Sequence, residues 1–285
     1  MVRQSLGACL HDYLAHQAVE VRRLTTDAPG GPVGGEDLHD LRVALRRIQS
    51  TLATGAAAYG KRAARPVRQE ARALRRALGG PRDVEVVGDV LLPRIDDPSD
   101  RALVRSVLAG RRERARTAAV AAGGRTEALL HALGRLVADP PTTAHADRPA
   151  RDEVPRLARR EVRRVARLVE RAGRRTTDAD RWAALHEVRK AAKRLRYLLE
   201  AAEQLDGLGA SAAIGALKQL QDVLGDQHDL VVAAGLARDL GAAEPAGSLV
   251  RLAADLESEA EDAMPAYLDA WEAVRRSAVS SGWGR

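Results

Sequence analysis

The chain has 285 residues, of which 45% are hydrophobic, 30% are charged and only 2% are aromatic, a composition that favours packed helices over a β-sheet. The formal net charge of +7 indicates an anionic partner or a strongly cationic surface, and the single cysteine excludes an internal disulfide. No run reaches the roughly 20 apolar residues of a membrane span, and no signal peptide is recognisable, so we expect a cytoplasmic protein.

Apolar residues recur at helical spacing along most of the chain, so we predict an all-α fold. The first helical segment places Cys9 between Ala8 and Leu10 in an apolar pattern, which predicts a buried thiol and not a nucleophile. Residues that favour turns, mainly Gly, Pro and Asp, mark the predicted ends of the helical segments. The predicted breaks are 26–35, 79–83, 93–99, 123–124, 139–149, 173–180, 207–209, 225–227 and 241–247.

The second helical segment carries one histidine and three arginines in the motif His39-x-x-Arg42-x-x-x-Arg46-Arg47. Because each helical residue advances by about 100°, Arg42 and Arg46 lie within about 60° of His39, and Arg47 lies about 80° away on the other flank. The apolar residues that gather on the opposite side are Leu38, Leu41, Leu45, Ile48 and Leu52. This pattern predicts a helix with separate core and cationic faces.

Arginine rows also occur on neighbouring segments. The segment that follows the first motif carries Arg68, Arg72, Arg75 and Arg76. A longer row opens the second half of the chain and consists of Arg156, Arg160, Arg163, Arg164, Arg167 and Arg171. Several such rows on neighbouring helices indicate a ligand that carries many negative charges.

The second half of the chain repeats the first motif at an offset of 147 residues. The charged residues of this second copy are His186, Arg189, Lys190, Lys193, Arg194 and Arg196. A further block recurs at an offset of 146 residues and aligns Arg72 with Lys218, each followed by a Leu-Gly pair. Two blocks that recur in the same order predict two related halves, 1–145 and 146–285.

The cationic face of the first motif lacks the acidic partners of an ordinary solvated helix. Arg42, Arg46 and Arg47 have no acidic residue four positions on, and like charges at that spacing cost stability. Arginine suits phosphate because its planar fork donates two parallel hydrogen bonds and keeps its charge. His39 and His186 lie on the same faces, where we expect the imidazole to resist protonation until an anion arrives.

The two histidine motifs, with Leu78-Gly79-x-x-Arg82-Asp83 and Leu220-Gln221-Asp222-x-Leu224-Gly225, resemble the CHAD family, the conserved-histidine α-helical domains. The resemblance covers residues 5–283. It implies two four-helix bundles related by a pseudo-two-fold axis. It also implies a central basic cleft that binds inorganic polyphosphate, in a family with members at polyphosphate granules.

The resemblance and the arginine rows together predict the residues that bind polyphosphate. They are His39, Arg42, Arg46, Arg47, Arg72, Arg75, Arg160, Arg163, Arg167, His186, Arg189, Lys190, Lys193, Arg196 and Lys218. One departure from the family pattern is Gln227-His228, where a Leu-Asn type pair is expected. The role of this turn in the second half therefore stays open.

A metal-dependent phosphohydrolase of the HD type is one alternative, because the dipeptide His-Asp occurs at three places in the chain. Arg42 and Arg46 would repel a divalent cation, and the second copy of the motif carries Glu187 in place of aspartate. Adjacent helical residues point about 100° apart, so His39 and Asp40 cannot both face one ion. Since no phosphate-binding loop or nucleophile motif is present either, we predict a protein without catalysis, metal or cofactor.

A nucleic-acid-binding protein is the other alternative, because backbone phosphates would bind the same arginines. The chain is poor in aromatic residues for base stacking and carries no recognition motif. Polyphosphate has a denser charge and no bases, so it is the closer match to a ligand recognised by Arg and Lys alone.

Overall fold

The computed structural model describes residues 4–26, 35–78, 80–121, 123–140, 143–203, 205, 208–242 and 247–283. Regular structure in these ranges is helical, which confirms the all-α prediction, and an isolated bridge joins Ser5 to Pro149. The helices are α1 (Leu6–Thr26), α2 (Gly35–Thr54), α3 (Ala56–Tyr59), α4 (Lys61–Ala77), α5 (Gly80–Leu91), α6 (Pro98–Ala121), α7 (Gly123–Ala138), α8 (Ala150–Gly173), α9 (Asp178–Ala201), α10 (Ala210–Gly241), α11 (Ser248–Asp262) and α12 (Met264–Ser280), with a 3₁₀ turn at Leu92–Arg94.

Most of the predicted helix ends that fall on described residues are correct. The breaks predicted at 93–99, 139–149 and 173–180 each separate two helices. At Gly123, the chain begins α7. The break predicted at 207–209 is also correct, since Gly209 directly precedes α10. The predicted breaks that lie largely outside the described residues are 26–35 and 241–247, and Gly79 of the break at 79–83 lies outside them as well.

The break predicted at 225–227 is wrong, because α10 runs through it as one helix from Ala210 to Gly241. The sequence predicts a helix break at Gly225, yet this glycine is buried inside α10. A Cβ atom at this position would lie 2.8 Å from Nη2 of Arg189. The glycine therefore makes room for a guanidinium that approaches the helix from α9, and it costs the helix only about 1 kcal/mol relative to alanine.

Two hydrophobic cores hold the helices together, and each core takes helices from both halves of the chain. The larger core combines α1, α2, α4 and α7 with α8, α9, α12 and the first part of α10. The smaller core combines α5 and α6 with the second part of α10 and α11. The division into 1–145 and 146–285 thus describes a sequence repeat, and the pair of four-helix bundles related by a pseudo-two-fold stays a prediction.

The two helices that carry the histidine motifs, α2 and α9, pack against each other. Leu41 and Leu45 of α2 and Leu185 and Val188 of α9 are buried in the larger core. Because the apolar faces of both helices point into this core, their cationic faces are directed away from it. This packing confirms the predicted separation of apolar and charged faces.

Local sequence fixes where α9 begins. Thr177 has an extended backbone, and its side-chain oxygen accepts a hydrogen bond from the backbone N–H of Asp180 at 3.3 Å. Asp178 and Asp180 lie in the first turn, where negative charge is favourable. This cap sets the position along the chain from which the cationic residues of α9 are presented.

None of the described helices is both long enough and apolar enough to cross a membrane. The predicted core thiol is confirmed, since Cys9 is only 3% exposed. Its sulfur donates a hydrogen bond to the carbonyl of Ala201 at 3.2 Å, and burial raises the pKa of the thiol to about 11 with a further contribution from Asp12. Burial and the charge of Asp12 both disfavour the deprotonated thiolate of Cys9.

Candidate functional site

Five cationic side chains from three helices form what we call the cationic cluster: Arg42 and Arg46 of α2, Arg75 of α4, and Arg189 and Lys193 of α9. Burial lowers the pKa of the Arg46 guanidinium. The charges of Arg42, Arg189 and Arg75 lower it further, against an opposing effect of Tyr197. The structure thus brings residues of both predicted halves into one electrostatic neighbourhood.

Burial makes the cationic cluster electrostatically unfavourable. Arg42 is only 9% exposed, and the other four members are partly buried. Burial lowers the pKa of Lys193 to about 6, and the charges of Arg189, Arg46 and Arg196 add to the effect while Asp229 opposes it. Positive charges so close together in partly dehydrated surroundings repel one another, and an anion bound among them would relieve this repulsion.

Helix α10 positions Arg189. The guanidinium lies against Gly225, and its Nε donates a long hydrogen bond of 3.5 Å to the backbone carbonyl of Gln221. A larger side chain in place of Gly225 would push the guanidinium away from the helix. This supporting role was not predicted from the sequence, although the repeated Leu-Gly pair was a signal for it.

Two histidines pack against each other beside the cationic cluster. The ring centroids of His186 on α9 and His228 on α10 are 4.6 Å apart. Burial lowers the pKa of His186, and the charges of Lys190 and Arg189 lower it further. Its Nδ1 is buried without a hydrogen-bond partner among the described residues. The sequence assigns no ligand role to His228, which belongs there to the Gln227-His228 departure and to a His-Asp dipeptide, and the structure adds it to the candidate site.

Two of the predicted ligand-binding residues, Arg47 and Arg196, share one carboxylate partner. Nε of Arg47 donates to Glu200 at 3.2 Å, and Nε of Arg196 forms an ion pair with the other oxygen of the same carboxylate at 3.1 Å. Both guanidinium groups flank the ring of Tyr197, at 5.8 Å and 5.0 Å from its centroid. The hydroxyl of Tyr13 on α1 also donates a hydrogen bond to Glu200, at 2.9 Å. Arg47 and Arg196 therefore help to hold α1, α2 and α9 together.

The remaining predicted residues lie at the surface. Those with exposed side chains are Arg72, Arg160, Arg163, Arg167, Lys190 and Lys218, while His39 is partly buried on α2. Lys190 forms an ion pair with Glu187. Arg160 donates to the carbonyl of Thr54 at 3.4 Å and lies 3.5 Å from Glu161.

Arg160 belongs to a second cationic group, centred on Arg194. Burial lowers the pKa of Arg194, and the charges of Arg164, Arg160 and Arg68 lower it further against the attraction of Glu161. Arg194 contacts that carboxylate at 3.1 Å. The arginine row of α8 therefore belongs to a second group of cations at α8 and α9, whose positive charge is partly neutralised by Glu161. This group has other neighbours than the cationic cluster.

Within the described ranges, no group of three or more His, Cys, Asp or Glu side chains is arranged to hold a metal ion. Arg82 and Asp83, part of one repeated block, lie in the first turn of α5, where the structure describes the backbone alone.

Comparison with known proteins places the chain among helical domains of one family. The family model of the CHAD domain matches residues 4–238. An uncharacterised protein of Mycobacterium tuberculosis, found in two strains, is 32% identical over 206 residues, which are 68% of this chain and 38% of that protein. The match therefore spans well under half of the relative's length.

Two solved structures share the fold. PptA from Streptomyces chartreusis superposes with a TM-score of 0.79 at 23% identity, over 94% of this chain and 99% of that one. The CHAD domain from the plant Ricinus communis superposes with a TM-score of 0.60 at 24% identity, over 96% of this chain and 92% of that one. At these identities the likeness shows the fold alone.

Proposed function

The chain belongs to the CHAD domain family, and we propose that it is a non-catalytic protein that binds inorganic polyphosphate through the cationic cluster. The observation that carries the proposal is the convergence of Arg42, Arg46, Arg189 and Lys193 from α2 and α9 in partly buried surroundings. Their mutual repulsion costs stability in the free protein. A ligand with one negative charge on each phosphate unit would offset it at several points at once.

The placement of the aromatic residues favours polyphosphate over a nucleic acid. Tyr197, Trp271 and Trp283 are 1%, 5% and 2% exposed, so their faces are covered by protein. Binding of single strands relies on exposed aromatic faces that stack on bases. Polyphosphate has no bases, and guanidinium and ammonium groups alone suffice to recognise it. We further propose that the protein resides in the cytoplasm and associates with polyphosphate granules.

Binding of long-chain polyphosphate is expected to weaken by about 10²-fold between about 50 mM and 200 mM salt, because each phosphate contact releases a condensed counterion. Filter-binding titrations at four salt concentrations measure the slope of log affinity against log salt. The relation between this slope and the number of phosphate contacts is calibrated on nucleic acids. The test for polyphosphate therefore uses the sign and the steepness of the slope and not an exact count of contacts.

A matched variant and a competitor sharpen this salt experiment. Arg111→Gln with Arg112→Gln removes two exposed arginines of α6 and should leave the slope unchanged. Single-stranded RNA should displace polyphosphate only at a large molar excess of phosphate groups. A flat response to salt contradicts the polyanion proposal, and displacement by RNA at equal phosphate concentration favours the nucleic-acid alternative.

Affinity for polyphosphate is also expected to fall as the pH rises above 6. Burial holds the pKa of Lys193 at about 6 and that of His186 below its ordinary value, so neither side chain is fully protonated in the free protein at pH 7. A bound anion favours the protonated forms, so binding takes up protons. For each proton that is taken up on binding, the affinity falls by up to about tenfold for every unit by which the pH rises.

Calorimetric titrations in two buffers with different ionisation enthalpies count these protons, and the pH series from 6 to 9 gives the slope. Long chains keep the titrating terminal phosphates few. Lys193→Arg retains a charged group and should flatten the pH dependence while binding persists. If wild-type affinity is constant over this range and the heats do not depend on the buffer, the proposed proton coupling is wrong.

A further inference from the structure

Lys193 differs chemically from the other members of the cationic cluster, which are all arginines. Of the 46 lysine and arginine residues of the chain, only four are lysine. Lys193 occupies the position that Arg46 has in the first histidine motif, 147 residues earlier. A guanidinium keeps its proton at any working pH, whereas a lysine amine that is buried beside other cations loses its proton readily and becomes a nucleophile. The second motif therefore carries a group capable of covalent chemistry where the first carries only charge.

The surroundings of Lys193 favour the neutral amine. Burial is the largest cause of its low pKa, which is about 6. The charges that lower this pKa further are, in decreasing order of effect, those of Arg189, Arg46 and Arg196. Asp229 of α10 opposes them and acts more weakly than each of the three arginines. At pH 7 most molecules therefore present an unprotonated amine at this position.

The amine of Lys193 is also accessible. The residue is partly exposed, and its Nζ is not one of the side-chain nitrogens that are cut off from solvent, as Nε of Arg196 is. By contrast, Lys190 on the same helix is exposed and forms an ion pair with Glu187. A reagent in solution can thus reach Lys193, while the surrounding protein keeps the amine poorly hydrated.

The charges around Lys193 determine which kind of electrophile reaches it. The four guanidinium groups of the cationic cluster, those of Arg42, Arg46, Arg75 and Arg189, attract a reagent that carries a phosphate group. An acyl phosphate joins such a phosphate dianion to an acyl carbon that an amine can attack. Its two negative charges offset only part of the four positive charges, so the amine stays partly unprotonated while the reagent is bound.

We propose that Lys193 is a modification site, which acyl phosphates acylate directly while the arginines of the cationic cluster hold their phosphate group. The nitrogen lone pair of the neutral amine attacks the acyl carbon, and the bond between this carbon and the bridging oxygen breaks. Phosphate leaves with the bonding electron pair and takes up the proton that the nitrogen loses. The products are a neutral amide on Lys193 and inorganic phosphate.

Acylation of Lys193 opposes the binding of polyphosphate, a consequence that rests on the proposed function. An amide cannot take up the proton that a bound polyanion favours, so the complex loses one of the five cations of the cluster. Bound polyphosphate in turn covers the amine and favours its protonated, unreactive form. Acylation and polyphosphate binding therefore exclude each other, although the acylation itself does not depend on polyphosphate.

Incubation with acetyl phosphate in the absence of polyphosphate, followed by mass spectrometry of peptides, tests the proposal. At pH 7 we expect Lys193 to react at least about tenfold faster than the exposed Lys190 and Lys218. The reason is that burial increases the neutral fraction of its amine by more than the weaker base loses in nucleophilicity. From pH 7 to 9 the rate at Lys193 should stay nearly constant, whereas a solvated lysine gains about tenfold per pH unit. The preference for Lys193 should shrink with N-acetylimidazole, which has no phosphate for the arginines to hold.

Arg46→Gln with Arg189→Gln should slow the acylation of Lys193 at pH 7 by at least about fivefold, because fewer neighbouring charges then disfavour the ammonium and hold the phosphate. Arg111→Gln with Arg112→Gln on the exposed face of α6 is the matched control and should leave the rate unchanged. Circular dichroism and thermal unfolding establish that each variant is folded.

Equal rates at Lys193 and the exposed lysines at pH 7, or a rate at Lys193 that climbs tenfold per pH unit, overturn the proposal. Long-chain polyphosphate added before acetyl phosphate should protect Lys193 by at least about tenfold. If Lys193 is acylated selectively but polyphosphate does not protect it, the modification site stands and the binding of polyphosphate at the cationic cluster is wrong. The two proposals can therefore fail separately.

Discussion

The double charge reversal Arg42→Glu with Arg46→Glu is expected to lower the affinity for long-chain polyphosphate by about 10²-fold or more. Arg46 shares its electrostatic surroundings with Arg189 of α9 and with Arg75 of α4. If one ligand spans both helices, removal of the α2 contacts also removes the high effective concentration at which the α9 contacts act. Arg189→Glu with Lys193→Glu should therefore have a similar effect.

The quadruple variant distinguishes one shared site from two separate surfaces. With a shared site, either double variant nearly abolishes binding and all four changes together add little. With two independent surfaces, each double variant would keep near-normal affinity at half the stoichiometry, and the shared site would be wrong. Fluorescence or filter-binding titrations with one chain length give both the affinity and the stoichiometry.

We expect the charge-reversed variants to stay folded, because each reversal places a carboxylate among the remaining cations and exchanges repulsion for attraction. Thermal unfolding and circular dichroism check this for every variant. Arg111→Glu with Arg112→Glu, on the exposed face of α6, applies the same change of net charge away from the cluster. We expect this control to weaken binding by no more than about fivefold, through the overall field of the protein.

Replacement of Lys193 by methionine is expected to raise the free energy of unfolding at pH 7, on the order of 2 kcal/mol, while it weakens polyphosphate binding. The pKa of Lys193 is about 6 in the folded protein against an ordinary 10.5. Between these values the unfolded chain binds more protons than the folded one, so wild-type stability rises as the pH rises from 6 towards 10.5. Below pH 6 Lys193 is protonated in the folded protein as well, so the full free-energy cost of its buried charge lowers the stability.

Denaturant unfolding at pH 6, 7, 8 and 9 measures this prediction. The stability advantage of Lys193→Met should be largest at pH 6 and should shrink towards pH 9, because the wild type then loses the buried charge by deprotonation. Lys190→Met is the matched control, since Lys190 is exposed three residues away on the same helix. A methionine variant less stable than wild type at every pH would show that the lysine contributes favourable packing that outweighs its charge.

The helices and the two cationic faces could be predicted from the sequence because both depend on local periodicity. Apolar spacing in α2 and α9 determines which side of each helix is buried, and the arginines of the motifs then face away from the core by geometry alone. Local sequence does not predict the structure correctly at Gly225. Its context favoured a break, but the guanidinium of Arg189 needs the space that a missing side chain leaves, and α10 continues through it.

The partners of the charged residues depended on contacts between distant parts of the chain. Arg47 and Arg46 are equivalent in a sequence motif, yet Arg47 pairs with Glu200, a residue 153 positions away, and Arg46 does not. His228 reaches His186 only because α10 packs on α9. Helical periodicity gives the direction of a side chain but not what lies opposite to it.

The sequence by itself determined the all-α fold, the repeat of the histidine motif and the cationic face of each motif helix, since these follow from spacing within single helices. Only the tertiary structure decided which arginines gather in a buried cluster and which are neutralised by carboxylates. The reason is that electrostatic energy depends on the distance and burial of charges, which the packing of helices far apart in the chain sets.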